Sequence, residues 1–211
     1  VSLRVARKPE DLDNADVVIL PGSRSTMGDL HALLASGMAR RILKLANTRP
    51  LEIVGLCGGY QMLHKEIVDP HGLESGEQTM LGLGLLSMVT ELGPDKVLKQ
   101  TLARHVESGC WVLGYEIHHG LSRACEETPE GTGLPPIFLD EQGQAQGETA
   151  DLPGGGRAWG TYLHGVFEND EFRRHFIDRI RQGKGLEPLA KATPGNDPNV
   201  STGYDPDAAL D

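Results

Sequence analysis

The chain has 211 residues, 38% of them hydrophobic and 24% charged, which fits one globular domain with a sizeable core and excludes an apolar-poor, disordered chain. Thirty acidic against twenty basic residues give a formal charge of −10, the wrong sign for a protein that holds nucleic acid through its phosphates. The 27 glycines are nearly twice the usual ~7% and follow no period, so many tight turns or close backbone approaches are expected.

No apolar run reaches the ~18 residues of a membrane span, and the opening Val-Ser-Leu-Arg lacks a signal-peptide pattern; no membrane partner is expected and the sequence reads as cytoplasmic. Cys57, Cys110 and Cys125 are odd in number and lack ligand spacing, so neither a disulfide framework nor a metal site is implied.

Leu3 to Ala6 reads as a first strand. It begins two residues from Val1, without an initiator Met, as a piece of a longer protein would. Val17 to Leu20, four apolar residues stopped by Pro21-Gly22, reads as a strand buried on both faces. Leu30, Leu33, Leu34, Met38, Ile42 and Leu45 recur at helical spacing, which predicts one or two helices over 26–47, broken at Gly37.

Leu51 to Leu56 is the next strand, and a helix over Gly59 to Glu66 follows so quickly that Cys57 must sit on a sharp turn. Leu85 to Thr90, Cys110 to His118, Pro136 to Leu139 and Arg157 to Leu163 are further strands; Asp170 to Gln182 is a helix with Asn169 placed to cap it. Between Ala124 and Gly156 the seven acidic residues (Glu126, Glu127, Glu130, Asp140, Glu141, Glu148, Asp151) meet no Lys or Arg and read as a solvated face. Short apolar strands alternating with helices predict the α/β class, an open and mostly parallel sheet flanked by helices, over residues 1–182. Residues 183–211, rich in Pro, Gly, Asn and Asp, read as a loose tail.

Three glycine turns carry the chemistry. Gly55-Leu56-Cys57-Gly58-Gly59-Tyr60-Gln61 joins a buried strand to a helix, the context of a nucleophile elbow. A helix N-terminus there offers unpaired N–H groups, which lower a thiol pKa and receive an oxyanion. A buried core Cys beside a glycine turn is the plainer alternative. Among eight histidines, His164 at the C-terminal end of a predicted strand is the best-placed base, at the sheet edge where functional groups of α/β folds gather. Pro21-Gly22-Ser23-Arg24-Ser25-Thr26 ends another strand at that edge. It lacks the Lys and spacing of a phosphate loop and suits an oxyanion hole better.

Together with Gly114-Tyr115-Glu116-Ile117-His118-His119-Gly120, these segments resemble the class I (triad-type) glutamine amidotransferases, and within them the cobyric acid synthase branch. The resemblance covers the chain to about residue 190. It implies a flavodoxin-like fold, a glutamyl thioester on Cys57 and His164 as acid and base. It implies an oxyanion hole from the N–H of Gly58 and of Gly22 or Ser23, and contacts to glutamine from Gln61, Tyr115 and His118. The wider class carries Glu two residues after the His; here Val166 stands there, which resembles a Cys-His dyad, with Glu168 as a nearby alternative orienter.

The resemblance also implies a longer enzyme. Its N-terminal synthetase would use ATP and Mg²⁺ to activate corrinoid carboxylates, while this chain binds no cofactor; the family's first strand would lie upstream of Val1. Cobyrinate a,c-diamide synthases and lipid II amidating subunits share the elbow. A cysteine peptidase-like hydrolase would explain Cys57 and His164 but not Gln61 or the Pro21-Gly22 turn; a silent binding module would not need the intact Cys57 and His164.

Overall fold

The computed structural model describes residues 1–74, 76–125 and 133–189. Its strands are β1 (Val17–Leu20), β2 (Glu52–Leu56), β3 (His64–Val68), β4 (Thr79–Leu81), β5 (Leu86–His105), β6 (Trp111–Ala124), β7 (Phe138–Asp140), β8 (Glu148–Asp151), β9 (Arg157–Thr161) and β10 (Leu163–His164). Its helices are α1 (Thr26–Ala35), α2 (Met38–Thr48), α3 (Gly58–Leu63) and α4 (Asp170–Gly183).

Two sheets share the chain. The first, ordered β1-β2-β9-β8, is parallel across β1, β2 and β9, with β8 antiparallel at its edge. The second, ordered β10-β6-β5-β3-β4 with β7 also on β5, pairs β3 with β5 in parallel and is otherwise antiparallel. Strand β9 ends at Thr161 and β10 begins at Leu163, so the chain changes sheets at Tyr162, two residues before His164.

The parallel strands are continuous apolar runs because both faces are covered. Leu20, Ile53 and Ala158 pack with Met27, Leu30, Ile42 and Leu45 of α1 and α2, whereas Val54 and Trp159 join Phe138, Phe172 and Phe176. Glu52 is buried at the opening of β2, held by Trp159 Nε1 (2.7 Å), Arg157 Nε (3.1 Å) and Arg179. That end of the sheet is structural, far along β2 from Cys57. Gly37, with φ 79°, breaks the predicted helical stretch into α1 and α2.

Several expectations change. Leu3 to Ala6 is not a strand: Leu3 and Val5 are 89% and 83% exposed, because the run finds no strand to pair with. The helix expected over 59–66 stops at Leu63, because His64 onward is recruited between β4 and β5. Strands β5 and β6 run well beyond the predicted segments as a long antiparallel ribbon. Asn169 makes no N-cap bond; its side chain instead accepts from Leu113 N (3.0 Å) and donates to the Leu113 and Gly165 carbonyls (3.0 Å each), tying α4 to β6. Glu148 is not solvated either: it is half-buried and accepts the Tyr60 hydroxyl, and burial raises its pKa. Glu126, Glu127 and Glu130 lie outside the described residues, as do residues 190–211 of the tail.

Candidate active site

Cys57 lies between β2 and α3 with φ 51° and ψ −111°, the single non-glycine residue with positive φ among the described residues. Such a backbone is strained for an L side chain. It persists because both flanks are pinned: Cys57 N donates to Thr161 O (2.9 Å), and Tyr60 N and Gln61 N donate to Cys57 O (3.0 and 3.1 Å). The glycines that follow leave room for close approach. A Cβ on Gly59 would overlap the Leu20 carbonyl, and one on Gly58 would stand 2.9 Å from both N and Cβ of Ser23. The Pro21–Thr26 turn is therefore pressed directly against the elbow.

Gly22 sits between the two candidate catalytic side chains. A Cβ there would lie 3.3 Å from His164 Cε1 and 3.7 Å from Cys57 Cβ. The His164 ring stacks on Tyr115, 5.0 Å between centroids at 8°. Cys57 Sγ donates to Ile117 O (3.4 Å), and the Ile117 backbone opposes the fall that burial imposes on the His164 pKa. His164 Nε2 is buried without a hydrogen-bond partner. Glu168 is exposed, forms no hydrogen bond with His164 among the described residues, and borders a different depression with Asn169 and Gly165.

A cleft of about 670 Å³ is bordered by Gly22, Ser23, Cys57, Gln61, Tyr115, His118 and His164. Gly58 follows Cys57 directly, and its N–H pulls the thiol pKa down. Apart from Glu168, the candidate site residues named from the sequence thus come to one place. Two of them are also tied into the protein frame. Gln61 spends its amide on the frame, accepting from Thr26 Oγ1 (3.0 Å) and donating to His119 O (2.9 Å) and Tyr162 Oη (3.3 Å). From Tyr162 the bonds continue through Ser122 and Thr90 to buried His64, joining elbow and ribbon. His118 stacks on Tyr162 at 3.6 Å and is held by Gly120 O (3.1 Å) and Glu116 Oε2 (3.4 Å).

The electrostatics also depart from the simple expectation for a thiol at a helix start. Burial pushes the Cys57 thiol up; the Gly58 N–H pulls it down, and the charge of Glu74 pushes it further up. Burial pushes the His164 imidazole down, the Ile117 backbone opposing and His118 reinforcing. Both shifts favour a neutral thiol beside a neutral imidazole. Helix α3 has only six residues, too short for its terminus to outweigh desolvation. Among the described residues no group of three His, Cys, Asp or Glu side chains could hold a metal ion.

Two cleft residues escaped the sequence reading: Glu74 and Lys96. Glu74 follows β3 in Asp69-Pro70-His71-Gly72-Leu73-Glu74, a turn at the end of a strand, and that position is the signal that could have found it.

Residues 1–172 match the CobB/CobQ-like glutamine amidotransferase domain. The chain belongs to that family. It is 42% identical over 191 residues to the adenosylcobalamin biosynthesis bifunctional protein CobDQ of Leptospira interrogans, covering 90% of this chain and 21% of that protein. It is 39% identical to the cobyric acid synthase of Nitratidesulfovibrio vulgaris, over all of this chain and 42% of that enzyme. The cobyric acid synthase of Klebsiella pneumoniae strain 342 is 42% identical over 202 residues, 91% of this chain and 38% of the enzyme. This glutamine amidotransferase domain therefore spans less than half the length of these relatives. Its fold is shared with a solved glutamine amidotransferase (TM-score 0.63, 19% identity, 86% of this chain and 87% of that one).

Proposed function

We propose that this domain is the glutaminase of a cobyric acid synthase, releasing ammonia from glutamine for ATP-dependent amidation of corrinoid carboxylates. The observation that carries the reading is Cys57, held at φ 51° on a glycine elbow with His164 beside it, in a chain of this family.

Glutamine enters with its side-chain amide against Cys57. As Sγ attacks the amide carbon, the thiol proton passes to His164, the negative charge gathers on the amide oxygen, and the N–H groups of Gly58 and of Gly22 or Ser23 receive it. His164 then gives its proton to the leaving nitrogen, ammonia departs, and a glutamyl thioester remains. Water, deprotonated by His164, hydrolyses the thioester to glutamate and the free thiol. Cys57 and His164 form a dyad in which the Ile117 carbonyl and the Tyr115 ring hold the imidazole. Gln61 braces the two walls, and His118 supports Tyr162.

The chain holds no G-x-x-x-x-G-K-[ST] segment, so ATP and Mg²⁺ belong with a synthetase part outside this domain, which also binds most of the corrinoid. The test uses the complete enzyme carrying Cys57→Ala. It should amidate corrinoid with free ammonium and ATP, fail with glutamine, and escape labelling by diazo-oxo-norleucine, which in the native enzyme should map to Cys57. Labelling at Cys110 or Cys125, or undiminished glutamine-dependent amidation by the variant, would refute the assignment.

A further inference from the structure

The ribbon wall holds a buried acid to which the chemistry above gives no part. Glu116 lies on the inner face of β6, buried and off the border of the cleft. Its Oε1 accepts Thr101 Oγ1 (2.9 Å) and Lys99 Nζ (3.1 Å) from β5, while its Oε2 faces His118 Nε2 (3.4 Å). Burial pushes this carboxyl up, but the bonds from His118, Lys99 and Thr101 outweigh it and hold the group below its ordinary value. Glu116 is therefore an anion.

An anion there decides what the neighbouring ring carries. His118 Nδ1 faces Gly120 O (3.1 Å) and its Nε2 faces the carboxylate. Neither oxygen can donate, and a neutral imidazole has one N–H and one bare nitrogen, so only the imidazolium makes both bonds. The buried ring lies flat on Tyr162, 3.6 Å between centroids at 12°, and a cation gains from an aromatic face. The other charged or titratable side chains about this wall are Lys96 and Lys99 of β5, Tyr115 and His119 of β6 and His164 of β10, with Arg24, Cys57 and Glu74 on the rest of the cleft border. His164 is the one on which His118 acts: burial pushes its imidazole down, and the charge of His118 pushes the same way. A base that takes the Cys57 proton has to be free of a proton beforehand.

We propose that Glu116 is a positioning residue that holds His118 as a cation against Tyr162, and that this cation keeps His164 free to accept the proton of Cys57. Glu116 acts through His118 and touches none of the reacting atoms. As the pH falls, the Glu116–His118 pair holds the first proton to enter the wall, and like-charge repulsion defers a second on His164. The pair thus extends the working range of the base toward acid. The inference rests on the glutaminase reading above.

The experiment follows ammonia release from glutamine as a function of pH for the complete native enzyme, His118→Gln, Glu116→Gln and the double variant. His118→Gln keeps a donor for Glu116 and loses the charge. In both single variants the ratio of kcat/KM at ~pH 8 to that at ~pH 6 should rise about 3 to 10-fold above the native ratio, because His164 now takes up a proton at higher pH. The double variant should raise it no further than His118→Gln alone, as expected when one residue acts through the other. Losses of one size at every pH, which leave the ratio within ~2-fold of native, would show a purely structural role. That result, a fall in the ratio, or effects that multiply in the double variant would each overturn the proposal. Should Glu116→Gln fail to fold, the ratio for His118→Gln decides alone. Native enzyme without glutamine turnover would instead remove the glutaminase reading and this inference with it.

Discussion

The two walls of the cleft are built on different principles. The elbow wall, Pro21–Thr26 and Cys57–Gln61, works through backbone: glycines bring N–H groups and carbonyls within a few ångströms, and a Cβ at Gly58 or Gly59 collides with the neighbouring turn. The ribbon wall, Tyr115–His119 of β6 with His164 of β10, works through side chains. There Tyr115 and Ile117 are each 36% exposed, and rings stack rather than interlock. The elbow is thus intolerant of added volume, whereas the ribbon is tunable except at His164, the proposed proton carrier.

The comparison breaks first at His164. Exchange to Asn removes the proposed base from the tunable wall and should lower kcat for glutamine hydrolysis by ~10² to 10⁴ with little change in KM. Glu168→Gln, in the neighbouring depression, should change kcat less than ~2-fold, a size typical of exposed charges away from the chemistry. Steady-state ammonia release measures both. Equal losses would make Glu168 a third catalytic member and end the dyad description.

On the elbow wall the effect should be on folding. Gly59→Ala drives a methyl into the Leu20 carbonyl and should cost ~3 kcal/mol or more, as severe overpacking against rigid backbone does. Urea unfolding reads this directly. A variant within ~1 kcal/mol of the native midpoint energy would show that the two turns can separate.

The smallest effect sharpens the contrast. Tyr115→Leu keeps an apolar side chain on the ribbon and loses the stack on His164, so stability should fall by only ~0.5 to 1.5 kcal/mol. The kcat should decline by less than ~10-fold. A loss comparable to His164→Asn would mean that the stacked ring fixes the imidazole alone, without help from the Ile117 carbonyl.

The sequence was most legible where a local pattern and its partner lie close together. Strand β2, Cys57 and the glycines after it form one contiguous segment whose apolar run, sharp stop and small residues already require a strand-to-helix turn. The division of 26–47 at Gly37 was legible for the same reason, since a positive-φ glycine stops a helix wherever it stands. The fate of Leu3–Ala6 and of His64–Val68 was not. Both are short apolar or mixed runs, and whether such a run becomes a strand depends on an available edge: β4 and β5 offer one to His64–Val68, while Leu3 and Val5 meet none.

Residue chemistry and local backbone preference were therefore enough to name the candidate nucleophile, its candidate base and the turns around them. Only the tertiary structure decided what each side chain touches. It turned Gln61 inward to Thr26 and His119, laid Tyr115 on His164, set the Ile117 carbonyl against Cys57 and brought Glu74 into the cleft from a turn 17 residues beyond the nucleophile. The physical reason is that a turn is specified by the φ/ψ preferences of the few residues within it, whereas a contact is specified by sheet register and desolvation, which depend on residues far apart in the chain.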